Sequence, residues 1–181
     1  MSKIREEQVK QAYADWFDTR GMDVFMTLNT ERTLAPLVSR EKVVLESAEV
    51  KLSKMLIEMF GRAETVAFGR TEKGVARRKL YKKNPKFRIH RAVAIHTDAN
   101  KTHAHIRVKT LDGWTQAEMI SLLREQWQCV NRAKVESEYH YKAEAVKNSM
   151  GNSFYITSEE TDKNKINENS IDMWSSYISK Q

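Results

Sequence analysis

The run Phe87-Arg88-Ile89-His90-Arg91-Ala92-Val93-Ala94-Ile95-His96, followed after Thr97 to Thr102 by His103-Ala104-His105-Ile106-Arg107-Val108, decides how this chain is to be read. The first half is strand-like and the second alternates apolar with polar side chains, the period of a strand with one face on a core. The residues between them read as a turn, so the two halves form a hairpin. On a strand His103 and His105 share one face while Ala104, Ile106 and Val108 supply the other. Hairpin pairing then sets His96 opposite His103. Directly opposed residues have Cβ atoms about 4.5 to 5.5 Å apart, and the diagonal neighbour His105 lies within about 7 to 8 Å, so one ion can be shared. Three of the five histidines converge on one spot. The competing reading is of surface polar residues on a half-buried strand. The cluster favours the metal site, because neutral imidazole is a ligand for divalent ions. His90 has the same parity but lies six residues before His96, about 20 Å along a strand, which excludes it as a ligand. Ala92 and Ala94 on the same face are small and are expected to leave room for a substrate beside the ion.

Working outward, the charge points to a polyanion. The chain has 181 residues and a formal net charge of +7. Between Arg70 and Arg88 lie Arg70, Lys73, Arg77, Arg78, Lys79, Lys82, Lys83, Lys86 and Arg88 against the single acid Glu72. Such a stretch attracts phosphates, with binding that falls as salt rises; its plainer alternative is a solvated basic loop. Tyr81 and Phe87 within it are candidates to stack on unpaired bases, or else core residues. The single cysteine, Cys129, excludes an intramolecular disulfide and fits a reducing compartment. It sits in an apolar helical run and reads as inert packing. No stretch reaches the roughly 20 apolar residues of a membrane span, and residues 1–20 lack the apolar core of a leader. The expectation is a soluble, intracellular, cytoplasmic protein of one domain, 1–181, with 157–181 a loosely attached polar tail.

Along the chain, Ser2 to Gly21 predicts an amphipathic helix with Ile4, Val9, Tyr13, Trp16 and Phe17 on one face. Residues 23–30 predict a strand. Ser39 to Phe60 predicts a long helix stopped by Gly61, and Thr65 to Arg70 a strand leading into a basic hairpin arm. Thr115 and Glu118 form a capping box that opens a helix carrying Met119, Ile120, Leu122, Leu123, Trp127 and Val130. Ser137 to Val146 alternates as a strand, and Ile171 to Ile178 reads as a last short helix. This order lacks the steady alternation of a doubly wound sheet. It predicts α+β: a mostly antiparallel sheet with helices on one face.

These pieces resemble the HUH endonucleases, in particular the rolling-circle replication initiators, or Rep proteins. Phe25-Met26-Thr27-Leu28-Asn29-Thr30 is similar to the first Rep motif, and His103-Ala104-His105 to the second, with His96 where many Reps carry a third ligand. The third motif, Tyr-x-x-Lys, has two candidates. Tyr155-Ile156-Thr157-Ser158 stands at the distance seen in viral Reps but has Ser158 for the lysine. Tyr177-Ile178-Ser179-Lys180 fits literally but lies at the chain end. The resemblance spans about residues 22 to 160. It implies a ferredoxin-like or RRM-like fold, and a divalent metal, Mg²⁺ or Mn²⁺, held by His96, His103 and His105. It also implies Tyr155, with Tyr177 as the alternative, as the nucleophile that nicks single-stranded origin DNA through a covalent 5′-phosphotyrosine link. DNA contacts are expected from Arg70, Lys73, Arg77, Arg78, Lys79, Lys82 and Lys83. Such an initiator serves a small plasmid, phage or virus, with a separate helicase and the host replication machinery as partners. A relaxase or transposase shares the chemistry. A metal-dependent hydrolase using activated water, or a non-enzymatic single-strand-binding module, are the other readings.

Overall fold

Val24 to Asn29 is apolar on the face of Val24, Met26 and Leu28 and mixed on the other, and the strand these residues form is the axis of the sheet. In a computed structural model the chain is described at residues 3–29, 37–38, 43–44, 47–80, 84–98, 101–131, 141–147 and 176–178. The elements run α1 (Lys3–Thr19), β1 (Val24–Asn29), β2 (Leu37–Val38), β3 (Val43–Val44), α2 (Ala48–Phe68), α3 (Arg77–Leu80), β4 (Arg91–Asp98), β5 (Lys101–Val108), α4 (Gln116–Asn131) and β6 (Tyr141–Ala145). Strands β4, β5, β1 and β6 lie side by side in that order, every pair antiparallel, while β2 and β3 form a separate two-stranded ribbon. This is an α+β protein. No helix among the described residues is long and apolar enough to cross a membrane.

The two sheet faces divide by residue parity. Val24, Met26 and Leu28 of β1, with Val93, Ala104, Ile106 and Val108, turn to α2 and α4 and bury Leu56, Met59, Phe60, Leu123 and Trp127 in the main core. Phe25, Ala92 and Ala94 turn the other way and meet Phe17 and Met22 at the end of α1. Helices therefore cover both faces, not one as expected from the element order. Phe17 and Met22 have no exposure left, and only the second face of the sheet was open to bury them. Arg107 goes under with them. Its guanidinium donates to the Met22 carbonyl at 3.0 Å from Nε, reaches Asp18 at 3.3 Å, and lies over the Phe17 ring.

Several predicted boundaries move. The helix expected over Ser39 to Phe60 is α2, which Ser47 caps by accepting from the Val50 amide, and it runs through Gly61 to end at Gly69. Gly61 marks a close approach, because a Cβ there would meet the Arg78 guanidinium at 2.6 Å. The strand expected over Thr65 to Arg70 is the last turn of that helix. Its basic sequel is a tight turn closed by Arg70 pairing with Ala76, followed by the single turn α3. The capping box stands as expected, the Glu118 carboxylate accepting from the Thr115 amide at 2.7 Å. Cys129 is exposed on α4, not packed. Residues 176–178 are extended, Tyr177 pairing with Arg91 at the β4 edge, where a helix was expected. Ser2, residues 132–140 and residues 148–175, which include the predicted polar linker, lie outside the described residues.

Candidate metal centre

The hairpin register is the predicted one. His96 pairs with His103 across β4 and β5, and Thr97 with Thr102 at its closed end. His105 pairs with Ala94 on one side and with Thr27 of β1 on the other. The three imidazoles lie on the face that α1 covers, at the end of the sheet beyond its reach. Their ring centroids are 4.9 Å apart for His103 and His105, 5.2 Å for His96 and His105, and 5.6 Å for His96 and His103. A metal bound by nitrogens at about 2.0 to 2.1 Å, with bond angles between tetrahedral and octahedral, sets ring centroids about 4.5 to 5.3 Å apart. The residues fit such an ion in identity, and two of the three spacings fall in that range, while His96 and His103 stand slightly wider. As the rings stand, no group of three His, Cys, Asp or Glu side chains among the described residues is set to hold a metal. The three-imidazole donor set suits a transition-metal ion better than Mg²⁺, which prefers oxygen.

Around His105 the strand β1 supplies two contacts. The His105 ring stacks on Phe25 at 5.8 Å and 13° between planes, and its Nδ1 is hydrogen-bonded to Thr27 Oγ1 at 3.0 Å. Burial, and then the neighbouring His103 and His96, push its pKa down to about 3. At neutral pH it is uncharged, the state in which a ring nitrogen offers a lone pair. Engagement of Nδ1 by Thr27 is the arrangement in which a hydrogen-bond partner fixes the tautomer of a ligand histidine. Asn29 sits beside His103 in the same row of the sheet.

The room expected above Ala92 and Ala94 is filled. Both are wholly buried against Phe17, Met22 and Phe25. His90 stands apart at the other end of β4, as expected, its ring edge-on to Tyr177 at 5.6 Å. Tyr177 is not brought to the histidines. Its pairing with Arg91 places it five residues from His96, about 16 Å at about 3.3 Å each. It also shares the Arg91 face, since its neighbour Ile178 turns toward α1. Tyr155 and His140 lie outside the described residues, as do Tyr81, Lys82 and Lys83.

The described basic residues sort into two kinds. Lys73, Arg77 and Lys79 are exposed, and Arg70, also exposed, spends Nη1 on the Gly74 carbonyl. Arg78 and Arg88 instead turn inward with Arg91 onto the buried Glu64 carboxylate, at 3.9, 3.0 and 3.0 Å. Sequence reading passed over Glu64, which nothing in its neighbourhood distinguishes from a surface acid of an amphipathic helix. It placed Phe25 and Thr27 in a motif without joining either to His105, although their parity on β1, once that strand is laid beside His105, signals both. No protein-family model, no curated protein and no solved structure matches this chain.

Proposed function

We propose that this protein is a metal-dependent, sequence-specific endonuclease of the HUH type that nicks and rejoins single-stranded DNA through a tyrosine. The observation that carries the reading is the meeting of His96, His103 and His105 at the end of an antiparallel sheet, their ring centroids 4.9 to 5.6 Å apart. The order strand, helix, strand, strand, helix, strand around β1, with β1 between β5 and β6, supports it as the connectivity of a ferredoxin-like domain. The exposed cations Arg70, Lys73, Arg77 and Lys79 support a polyanionic substrate.

In this reading His96, His103 and His105 hold Mn²⁺ or Mg²⁺, which when bound polarises and orients the scissile phosphate. The Tyr155 hydroxyl loses its proton and attacks phosphorus. The bond to the 3′ oxygen breaks, that oxygen takes up a proton, and the 5′ phosphate stays on the tyrosine. One phosphodiester replaces another, so rejoining needs no nucleotide triphosphate. Thr27 keeps the His105 ring oriented, and Phe25 braces its face. The substrate is the origin of a small plasmid, phage or virus, acted on in the host cytoplasm with a separate helicase and the host replication machinery. A relaxase or transposase would use the same steps.

The test is a denaturing gel of the full chain incubated with a single-stranded oligonucleotide and Mn²⁺ or Mg²⁺. A covalent adduct is expected, and mass spectrometry of the linked peptide should place it on Tyr155. His103→Ala and His105→Ala should each cut the nicking rate at least about a hundredfold, about 2.7 kcal/mol of barrier. Tyr155→Phe should abolish the adduct and Tyr177→Phe should not. The absence of a ready-closed donor group among the described residues keeps a second reading in view, a single-strand-binding module without chemistry. Binding with neither nick nor adduct would establish that module, and nicking without adduct would point to attack by water.

A further inference from the structure

A second concave site lies at the opposite end of the sheet from the histidines, where β4 begins and β5 ends. It is a cavity of about 430 Å³, within the size range of small-ligand sites. Arg77, Lys86, Arg88 and Lys109 reach it from three directions, and Phe87 and Trp114 form aromatic walls. Its rim is built rather than loose. The Lys109 amide donates to the His90 carbonyl at 3.0 Å, Phe87 stands edge-on to Phe68 at 6.0 Å, and the Trp114 amide closes a turn on Leu111 at 2.9 Å. Asp112 is the one acid among the lining residues. The positive field is felt by His90 in the same wall, whose pKa burial lowers first and the cations Lys109, Arg20 and Arg91 lower further.

We propose that this cavity binds one nucleotide unit of a single strand, its base against Trp114 or Phe87 and its phosphate among Arg77, Lys86 and Lys109. Cations alone would suit any anion, and aromatic walls alone any apolar group. Together at the edges of one recess they match a flat base joined to a phosphate. His90, just before β4, is six residues from His96, so the recess lies about 20 Å from the histidine cluster. One strand long enough to reach both would be anchored in the cavity several nucleotides from the reacting phosphate. The identity of the strand rests on the function proposed above, whereas the chemistry of the recess does not.

The experiment uses the full chain and three probes: inorganic phosphate, a deoxynucleoside monophosphate, and a fluorescein-labelled single-stranded oligonucleotide. In ¹H–¹⁵N spectra the Trp114 indole signal, assigned with Trp114→Phe, should shift with the nucleotide and not with the same concentration of phosphate. No shift, or the same shift with both, overturns the base-binding assignment. The exposed Lys86 and the rim Lys109 test the phosphate side. Lys86→Ala with Lys109→Ala should weaken the oligonucleotide about tenfold and flatten the dependence of log Kd on log salt by about 0.7 for each phosphate no longer neutralised. Unchanged affinity and slope overturn the proposal. Repeating the titration in His103→Ala, His105→Ala protein keeps the two sites apart. The tenfold effect should persist there even where no adduct forms, and its absence beside normal adduct formation sinks the cavity alone.

Discussion

His105 concentrates in one residue the conflict between folding and acid. Its pKa is near 3 in the fold, against an ordinary value of about 6.5 in the unfolded chain. Below about pH 6.5 the unfolded chain binds a proton that the folded one refuses, so His105 lowers stability as pH falls toward about 3 and costs nothing above that window. The slope reaches at most about 1.4 kcal/mol per pH unit. Thermal melts of the metal-free protein should therefore lose more between about pH 6.5 and about pH 4.5 than melts of His105→Gln, and equal losses would show that the ring titrates normally. The pairing of His96 with His103 was legible in the sequence, because strand parity and a short turn leave one register that keeps Ala104 and Ile106 inside. The tautomer-fixing contact with Thr27 was not, since it joins residues 78 positions apart.

At the scale of elements, α2 runs further toward the C-terminus than its sequence suggested, to Phe68, because its partners come from the segment that follows it. Glu64 near its C-terminal end is unfavourably placed for the helix dipole, yet it is 1 % exposed and gathers Arg78, Arg88 and Arg91. Arg91 is buried, which lowers its pKa to about 10 despite Glu64, so it stays charged at neutral pH and depends on that carboxylate. Glu64→Gln should destabilise the protein by about 3 to 5 kcal/mol, as removing one partner of a buried ion pair does. Glu58→Gln on the same helix breaks only an exposed pair with Arg62 and should cost under about 0.5 kcal/mol. Urea unfolding of both variants checks the contrast. The same cluster explains why a run of charges in sequence is not all exposed surface. Arg78 and Arg88 serve the fold, and no local pattern separates them from the exposed Arg77 and Lys79.

For the whole molecule, the two faces of one sheet have different tasks. The α2 and α4 face holds the main core, and the α1 face is covered at one end and carries the histidines at the other. An ion bound only by the folded protein stabilises it by about 2.7 kcal/mol at a hundred times its Kd. Mn²⁺ should raise Tm by several degrees in the parent and leave His103→Ala, His105→Ala unmoved, and an equal rise in both would place the ion elsewhere. The sequence by itself determined the α+β class, the central strand, the α4 cap and the histidine hairpin, since each rests on side-chain period or turn chemistry within a few residues. Only the tertiary structure decided that α1 closes the second face, that Glu64 draws three arginines inward, and that Lys109 and Trp114 meet Lys86 and Phe87 around one cavity. Those arrangements depend on burial and charge pairing between distant segments, and burial is a property of the assembled surfaces, which no local window contains.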